Sequence, residues 1–373
     1  MYSLQFTSKA KLEKLPIITR GRGIRGGCVF PLIVALMFFI CSFTSYNSYI
    51  ETNNNFHLDV IEENHSDSRS RLNLDFIVAG FPKTGTFSLL HLFDVHKETS
   101  VIPGEPCFWD KGTDSAIDEL AELLNGLPTK SRSMLRGIKC PMSAWDAKGL
   151  SKLTKMNEEV KVIIGLRHPV LLFESFYNYR VTGMHERKEV TGLVKLGLPP
   201  EPESLTGSNT WNGLSLELLR FEISLMQFGK VELTAKELLM LGEHEKRVFP
   251  SKFKVFLYDI NQLDDENKER SEQFRSDLQH FLGMQNKIED DIPRENANLS
   301  GIGTSSTYPE TINICDAKYA NLRKELMRNA KVSQNWIKQK FMNSADVNVS
   351  DKEHFLDLLK TWEVDPCENR TSE

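Results

Sequence analysis

Residues 74–88, LDFIVAGFPKTGTFS, decide the fold. LDFIVAGF (74–81) is an apolar run interrupted only by Asp75, the pattern of a parallel strand buried on both faces. Gly80-Phe81-Pro82-Lys83-Thr84-Gly85 follows, and a helix is predicted over 85–95. Glycine lets a backbone turn tightly and approach a phosphate, whose charge the N–H groups of the next helix can meet. Lys83 adds a point charge, while Thr86 and Ser88 add hydroxyl donors. In a Walker A loop the lysine follows the second glycine; here Lys83 stands two residues before Gly85, which counts against an ATPase or kinase loop.

Working outward, further strands are predicted at 99–102, 135–139, 160–166 and 253–260. Helical patterns lie at 114–125, 144–157, 169–182, 214–228 and 271–282, and a longer helix runs from Cys315 to about Met342. Strands alternating with helices predict an α/β fold: a P-loop-like, three-layer domain with a central parallel sheet flanked by helices. The domain is expected over 73–345, with a polar tail at 346–373. The stretch 184–211, with its Pro-Pro and Glu-Pro pairs, reads as a long surface excursion, and ordered loops of that length are usually functional.

The 373-residue chain has a formal charge of −5 that is unevenly spread. Lys9, Lys11, Lys14, Arg20, Arg22 and Arg25 face only Glu13 in the first 25 residues. The remainder is therefore acidic, which excludes a nucleic-acid binder acting by bulk charge. Cys28–Phe43 contains no charged residue, and uncharged polar residues extend it to about Ile50. A basic tail (1–27) before an uncharged run (28–50) predicts one transmembrane signal anchor, with the N-terminus cytoplasmic and the remainder lumenal. Residues 51–72 are polar and without periodicity, a flexible stem. Four N-x-S/T sequons, at Asn64, Asn298, Asn348 and Asn369, agree with a lumenal domain. Cys107, Cys140, Cys315 and Cys367 would face an oxidising compartment, where disulfides can form; no C-x-x-C pair points to zinc or thioredoxin chemistry.

On the loop Gly80–Ser88 the sequence resembles the sulfotransferase superfamily, whose 5′-phosphosulfate loop reads G-x-x-K-x-G-T-[ST]. The resemblance covers most of residues 74–342 and is nearest to the membrane-bound carbohydrate branch, which includes the heparan sulfate sulfotransferases. It implies that Gly80, Lys83, Thr84, Gly85, Thr86, Phe87 and Ser88 hold the donor 3′-phosphoadenosine 5′-phosphosulfate, with Lys83 supporting the leaving oxygen. Phe87 departs from the family, which often has a second threonine there. Arg167-His168-Pro169 with Ser175 matches the family's arginine at a strand end and serine eight residues on, which bind the 3′-phosphate. GIGTSSTYP (301–309) resembles the loop that closes over the adenosine, implying a role for Gly303, Thr304 and Tyr308.

On the acceptor side, GEPCFWD (104–110) stands where related glycan enzymes carry K-E-x-H-F-F-D. Glu105, the family's general base, is kept, while its lysine and histidine have become Gly104 and Cys107. Lys139 matches the K-x-P element whose lysine lies near the transferring group. The resemblance implies a Golgi membrane enzyme, single-pass with its domain lumenal, that sulfates an acceptor hydroxyl or amine, on a glycan above all. Transfer would be in line, with neither a covalent intermediate nor a metal. The competing readings are a catalytically inactive glycan-binding module and a P-loop nucleotide kinase.

Overall fold

The computed structural model describes residues 72–107, 113–127, 134–145, 149–150, 153, 157, 159–191, 199–207, 209–241, 253–288 and 308–368. All of them fall within the unit Ser70–Glu373. The basic tail, the apolar run 28–50, residues 51–71, Gly303 and Thr304 lie outside the described residues. Among the described residues no helix is long and apolar enough to cross a membrane.

Six strands form one sheet: β1 (Phe76–Gly80), β2 (Thr99–Val101), β3 (Leu135–Lys139), β4 (Lys161–Leu166), β5 (Lys254–Asp259) and β6 (Val347–Asn348). Every pairing is parallel and the order is β2-β3-β1-β4-β5-β6. β1 is central and buried along its whole length, which is why it reads as an unbroken apolar run. Alternate residues of β1 feed two cores. Phe76 and Val78 pack with Leu89 and Phe93 of α1 (Thr86–Val95) and with Phe274 and Leu278 of α6 (Lys268–Leu282). Ile77 and Ala79 join the opposite core. That face is covered by α2 (Asp114–Asn125), α3 (Pro169–Thr191), α7 (Ala320–Lys340) and α8 (Lys352–Lys360). Two short helices, α4 (Phe221–Leu225) and α5 (Ala235–Met240), lie between β4 and β5 in the chain. The sheet with helices on both faces is the predicted α/β arrangement.

Three details differ from the expectation. α3 continues to Thr191, into the stretch expected as a surface excursion. The helix expected over 214–228 is a 3₁₀ turn at Glu217–Leu219 followed by the single turn α4. The polar tail expected at 346–373 is folded as far as residue 368: β6 completes the sheet, α8 buries Phe355 and Leu359, and Trp362 is 1% exposed. A disulfide joins Cys367 to Cys315. Period and polarity misled there because β6 is two residues long and α8 buries only one narrow stripe.

Candidate active site

The C-terminal ends of five neighbouring strands converge on one cleft of 540 Å³. In an open parallel sheet this is where connections from adjacent strands diverge and leave a crevice.

The phosphate loop leaves β1 through Gly80 at φ +141°, where a Cβ would fall 2.4 Å from the Pro141 carbonyl oxygen. Lys83 (φ 67°) and Gly85 (φ 82°) are also left-handed, and together these positions wind the chain tightly beneath α1. Gly85 caps α1 without a side-chain hydrogen bond, and the first turn holds no acidic residue. The N–H groups of Thr86, Phe87 and Ser88 therefore have no intrahelical acceptor, and the helix end is positive.

From beneath, the loop is fixed by Thr84 Oγ1, which donates to the Phe81 carbonyl at 2.6 Å, and by Tyr258 OH, which donates to the Thr84 carbonyl at 2.9 Å. Arg167 Nη1 donates to the Lys83 carbonyl at 3.2 Å. Thr84 is wholly buried, so its side chain faces the core, and a donor contact at this position would be made by its backbone. Gly80 likewise shapes the loop from below and is not among the lining residues.

Lys83 Nζ lies 4.7 Å from the centre of the Tyr179 ring. Burial foremost, then the charge of Arg167, lowers its pKa to about 8; Glu105 opposes the shift and Lys139 adds to it. Arg167 follows the last residue of β4, and His168 beside it is structural. The Val170 N–H donates to His168 Nδ1 at 3.2 Å, leaving Nε2 to carry the proton toward the Val364 carbonyl at 3.3 Å. Burial pushes the His168 pKa down to about 4, so the ring is neutral and caps α3. Two turns along α3, Ser175 lines the cleft with a buried Oγ that has no hydrogen-bond partner. A buried hydroxyl that lines a cleft can donate to an anion such as phosphate.

On the opposite wall Glu105 follows β2 and Lys139 ends β3, with Lys139 Nζ 2.6 Å from Glu105 Oε1. The Lys139 side chain is 3% exposed and that of Glu105 51%, so the lysine is fixed and the carboxylate looks outward. A disulfide between Cys107 and Cys140 staples the two loops just beyond this pair. Lys139 Nζ also lies 5.0 Å from the Phe87 ring centre.

The cleft therefore brings together Lys83, Gly85, Thr86, Phe87, Ser88, Glu105, Lys139, Arg167 and Ser175. Tyr308 is not among its lining residues. Its ring stacks on His185 at 4.1 Å, and His185 Nε2 meets Glu310 Oε2 at 3.0 Å. Sequence reasoning missed Tyr179, Arg180, Asn261 and Asp264, all of which line the cleft. Tyr179 stands one helical turn beyond Ser175, and Asn261 follows the end of β5, so face and strand-end rules could have found both. Among the described residues no group of three or more His, Cys, Asp or Glu side chains could hold a metal ion.

A glycine-turned loop, a helix N-terminus and a row of cations at the strand ends define an α/β domain built to receive an anionic group. No family model matches the chain. Its sequence is 26% identical over 214 residues to heparan sulfate glucosamine 3-O-sulfotransferase 3B1 of Homo sapiens, covering 57% of this chain and 47% of that protein. The match to the 3A1 enzyme of the same organism is also 26% over 214 residues, covering 45% of that protein. The chain thus spans about half the length of the curated relatives it matches. The similarity is to the sulfotransferases, in their heparan sulfate branch, as the phosphate loop implies. A solved sulfotransferase from Alicyclobacillus acidocaldarius aligns with 71% of this chain and 94% of its own at 12% identity and a TM-score of 0.36. At that score the alignment adds nothing to the fold described above.

Proposed function

We propose that the protein is a sulfotransferase that moves a sulfuryl group from 3′-phosphoadenosine 5′-phosphosulfate to an acceptor hydroxyl. One observation carries this reading: the outward carboxylate of Glu105, paired with Lys139 at 2.6 Å, shares a single cleft with the phosphate loop. The acceptor oxygen attacks sulfur, a new S–O bond forms, and the bond from sulfur to the phosphate oxygen breaks. That oxygen leaves with the electron pair as adenosine 3′,5′-bisphosphate, and the acceptor proton passes to Glu105. Lys83 and the first-turn N–H groups of α1 balance charge on the leaving oxygen, and Lys139 balances it on the transferring group. Arg167 and the unpartnered Ser175 hydroxyl suit the 3′-phosphate. Catalysis on this scheme rests on positioning and electrostatics.

The uncharged run 28–50 behind a basic tail supports a single-pass anchor with the domain in the Golgi lumen. Asn348, exposed on β6, fits a glycosylated lumenal face. Protease added to sealed microsomes should spare the domain, and digestion beyond residue 72 without detergent would reverse the orientation.

The test of activity is full-length protein with labelled donor and mixed acceptors, alongside bisphosphate binding measured by thermal shift. Label transfer with bisphosphate stabilisation is the expected result. Stabilisation without transfer would favour the inactive glycan-binding module, which the departures at Gly104, Cys107 and Phe87 keep in view. Stronger stabilisation by ATP with magnesium would favour a kinase.

A further inference from the structure

We propose that Asn348 is an N-glycosylation site that takes its glycan only before the domain closes, because folding hides the other half of its own acceptor signal. The inference rests on the lumenal orientation proposed above and goes beyond it. An N-x-S/T acceptor has two working parts, the amide of the asparagine and the hydroxyl two residues on, and an enzyme must reach both. The fold treats the two parts differently. Asn348 is exposed on β6, between Val347 and Val349, which pack against the core. β6 is the last strand in the sheet order, and among the described residues it pairs with β5 alone. A bulky group on Asn348 therefore displaces no neighbouring strand. It stands instead beside an open sheet edge, where an obstacle to pairing with other chains is useful.

Ser350 is the hidden part. It is 1% exposed, its Oγ donates to Asp277 Oδ2 of α6 at 2.7 Å, and its carbonyl accepts from Gln262 Nε2 at 2.9 Å. The next residue, Asp351, caps α8 by accepting from the His354 N–H at 3.1 Å. The Cys315–Cys367 bond ties the segment that carries the sequon at both ends. An enzyme reading the Ser350 hydroxyl in the folded protein would have to pull this segment away from α6 and from β5. Before the segment docks, none of these contacts opposes it. The side-chain nitrogen of Asn348 then attacks C1 of a lipid pyrophosphate-linked oligosaccharide, and an N–C bond forms. The bond from C1 to the pyrophosphate oxygen breaks, the lipid pyrophosphate leaves with the electron pair, and the amide proton passes to a base of the transferring enzyme.

The experiment uses full-length protein in which Asn64→Gln, Asn298→Gln and Asn369→Gln leave Asn348 as the one sequon. Made in secretory cells, this protein is expected to lose one glycan-sized step in gel mobility on endoglycosidase treatment, and adding Asn348→Gln should abolish the step. The same protein made in bacteria is offered, with the lipid-linked oligosaccharide, to detergent-solubilised transferase in two states. One is folded and oxidised; the other is reduced and alkylated, its unfolding checked by circular dichroism. The unfolded state should accept roughly tenfold more glycan than the folded one, or more, since only local opening presents Ser350 in the latter. Equal labelling of the two states would overturn the order of events. Glycan on other sequons of the wild-type chain with Asn348 bare would overturn the site alone. A wild-type chain from secretory cells with no glycan at any sequon would strike the lumenal orientation, and the site with it.

Discussion

Lys83 combines a left-handed backbone, a half-buried ammonium and a cationic neighbour, Arg167. Burial and the Arg167 charge both work against the ammonium, and the charge of a bound anion would offset them. Because its pKa is lowered to about 8, the charged form dominates below that pH and declines above it. Bisphosphate affinity should therefore be flat below pH 8 and weaken by about tenfold per unit above it, until the pKa of the bound state is reached. Isothermal titration across pH 6.5–9.5 checks this, and Lys83→Ala should remove the inflection. Glu105 is tied to the phosphate-loop side of the cleft through Lys139, and in the proposed reaction it meets the acceptor and not the donor. Glu105→Gln should lower the single-turnover rate ~100-fold or more and leave the bisphosphate Kd unchanged. Near-normal turnover in that variant would assign the proton to another base.

At the scale of elements, the loop after β2 shows what holds the Glu105 carboxylate, the base of the proposed reaction. Ile102 N–H donates to the Gly137 carbonyl at 3.1 Å, Pro106 is buried, and the Cys107–Cys140 disulfide closes the loop onto β3. By the resemblance drawn above Cys107 takes the place of a histidine, and here a covalent staple to Cys140 holds that position. Replacing both cysteines by serine should cut turnover at least tenfold while bisphosphate affinity is retained, because misplacement by about 1 Å carries costs of that order or more. A parallel loss of affinity would instead show general loosening of the sheet. The same scale explains what could be read from sequence. β1, β4 and β5 were legible because strands buried on both faces are continuous apolar runs. That Lys83, Glu105, Lys139, Arg167 and Ser175 would share one cleft was legible because each lies at, or within about two turns after, the C-terminal end of a parallel strand. A motif gives the order of Thr84 in the chain but not the direction of its hydroxyl, which packing turns to the Phe81 carbonyl. Tyr179 and Arg180 escaped notice because a residue on a helix face joins a site only through the packing of that helix.

For the whole molecule, the segment after β6 supports the strand end that carries Arg167 and His168. Trp362 packs against Phe221 at 5.4 Å and His168 at 6.2 Å, and Val364 receives the His168 proton. Trp362→Ala should destabilise the fold by about 3–5 kcal/mol, the range for a buried large aromatic. Thermal or denaturant unfolding measures it, and a loss below about 1 kcal/mol would show that this segment is only loosely attached. β6 and the Cys315–Cys367 bond add to the same attachment.

Seen from the ribosome, the order of synthesis separates chemistry from closure. The phosphate loop emerges first, yet the imidazole beside Arg167 waits for the Val364 carbonyl, almost 200 residues later. Domains form as units once their last required segment is available. A message truncated after the codon for Met342 would still encode every residue assigned here to the chemistry. It would yield a polypeptide with an open sheet edge and an uncovered core face, and quality control, not catalysis, would determine its fate.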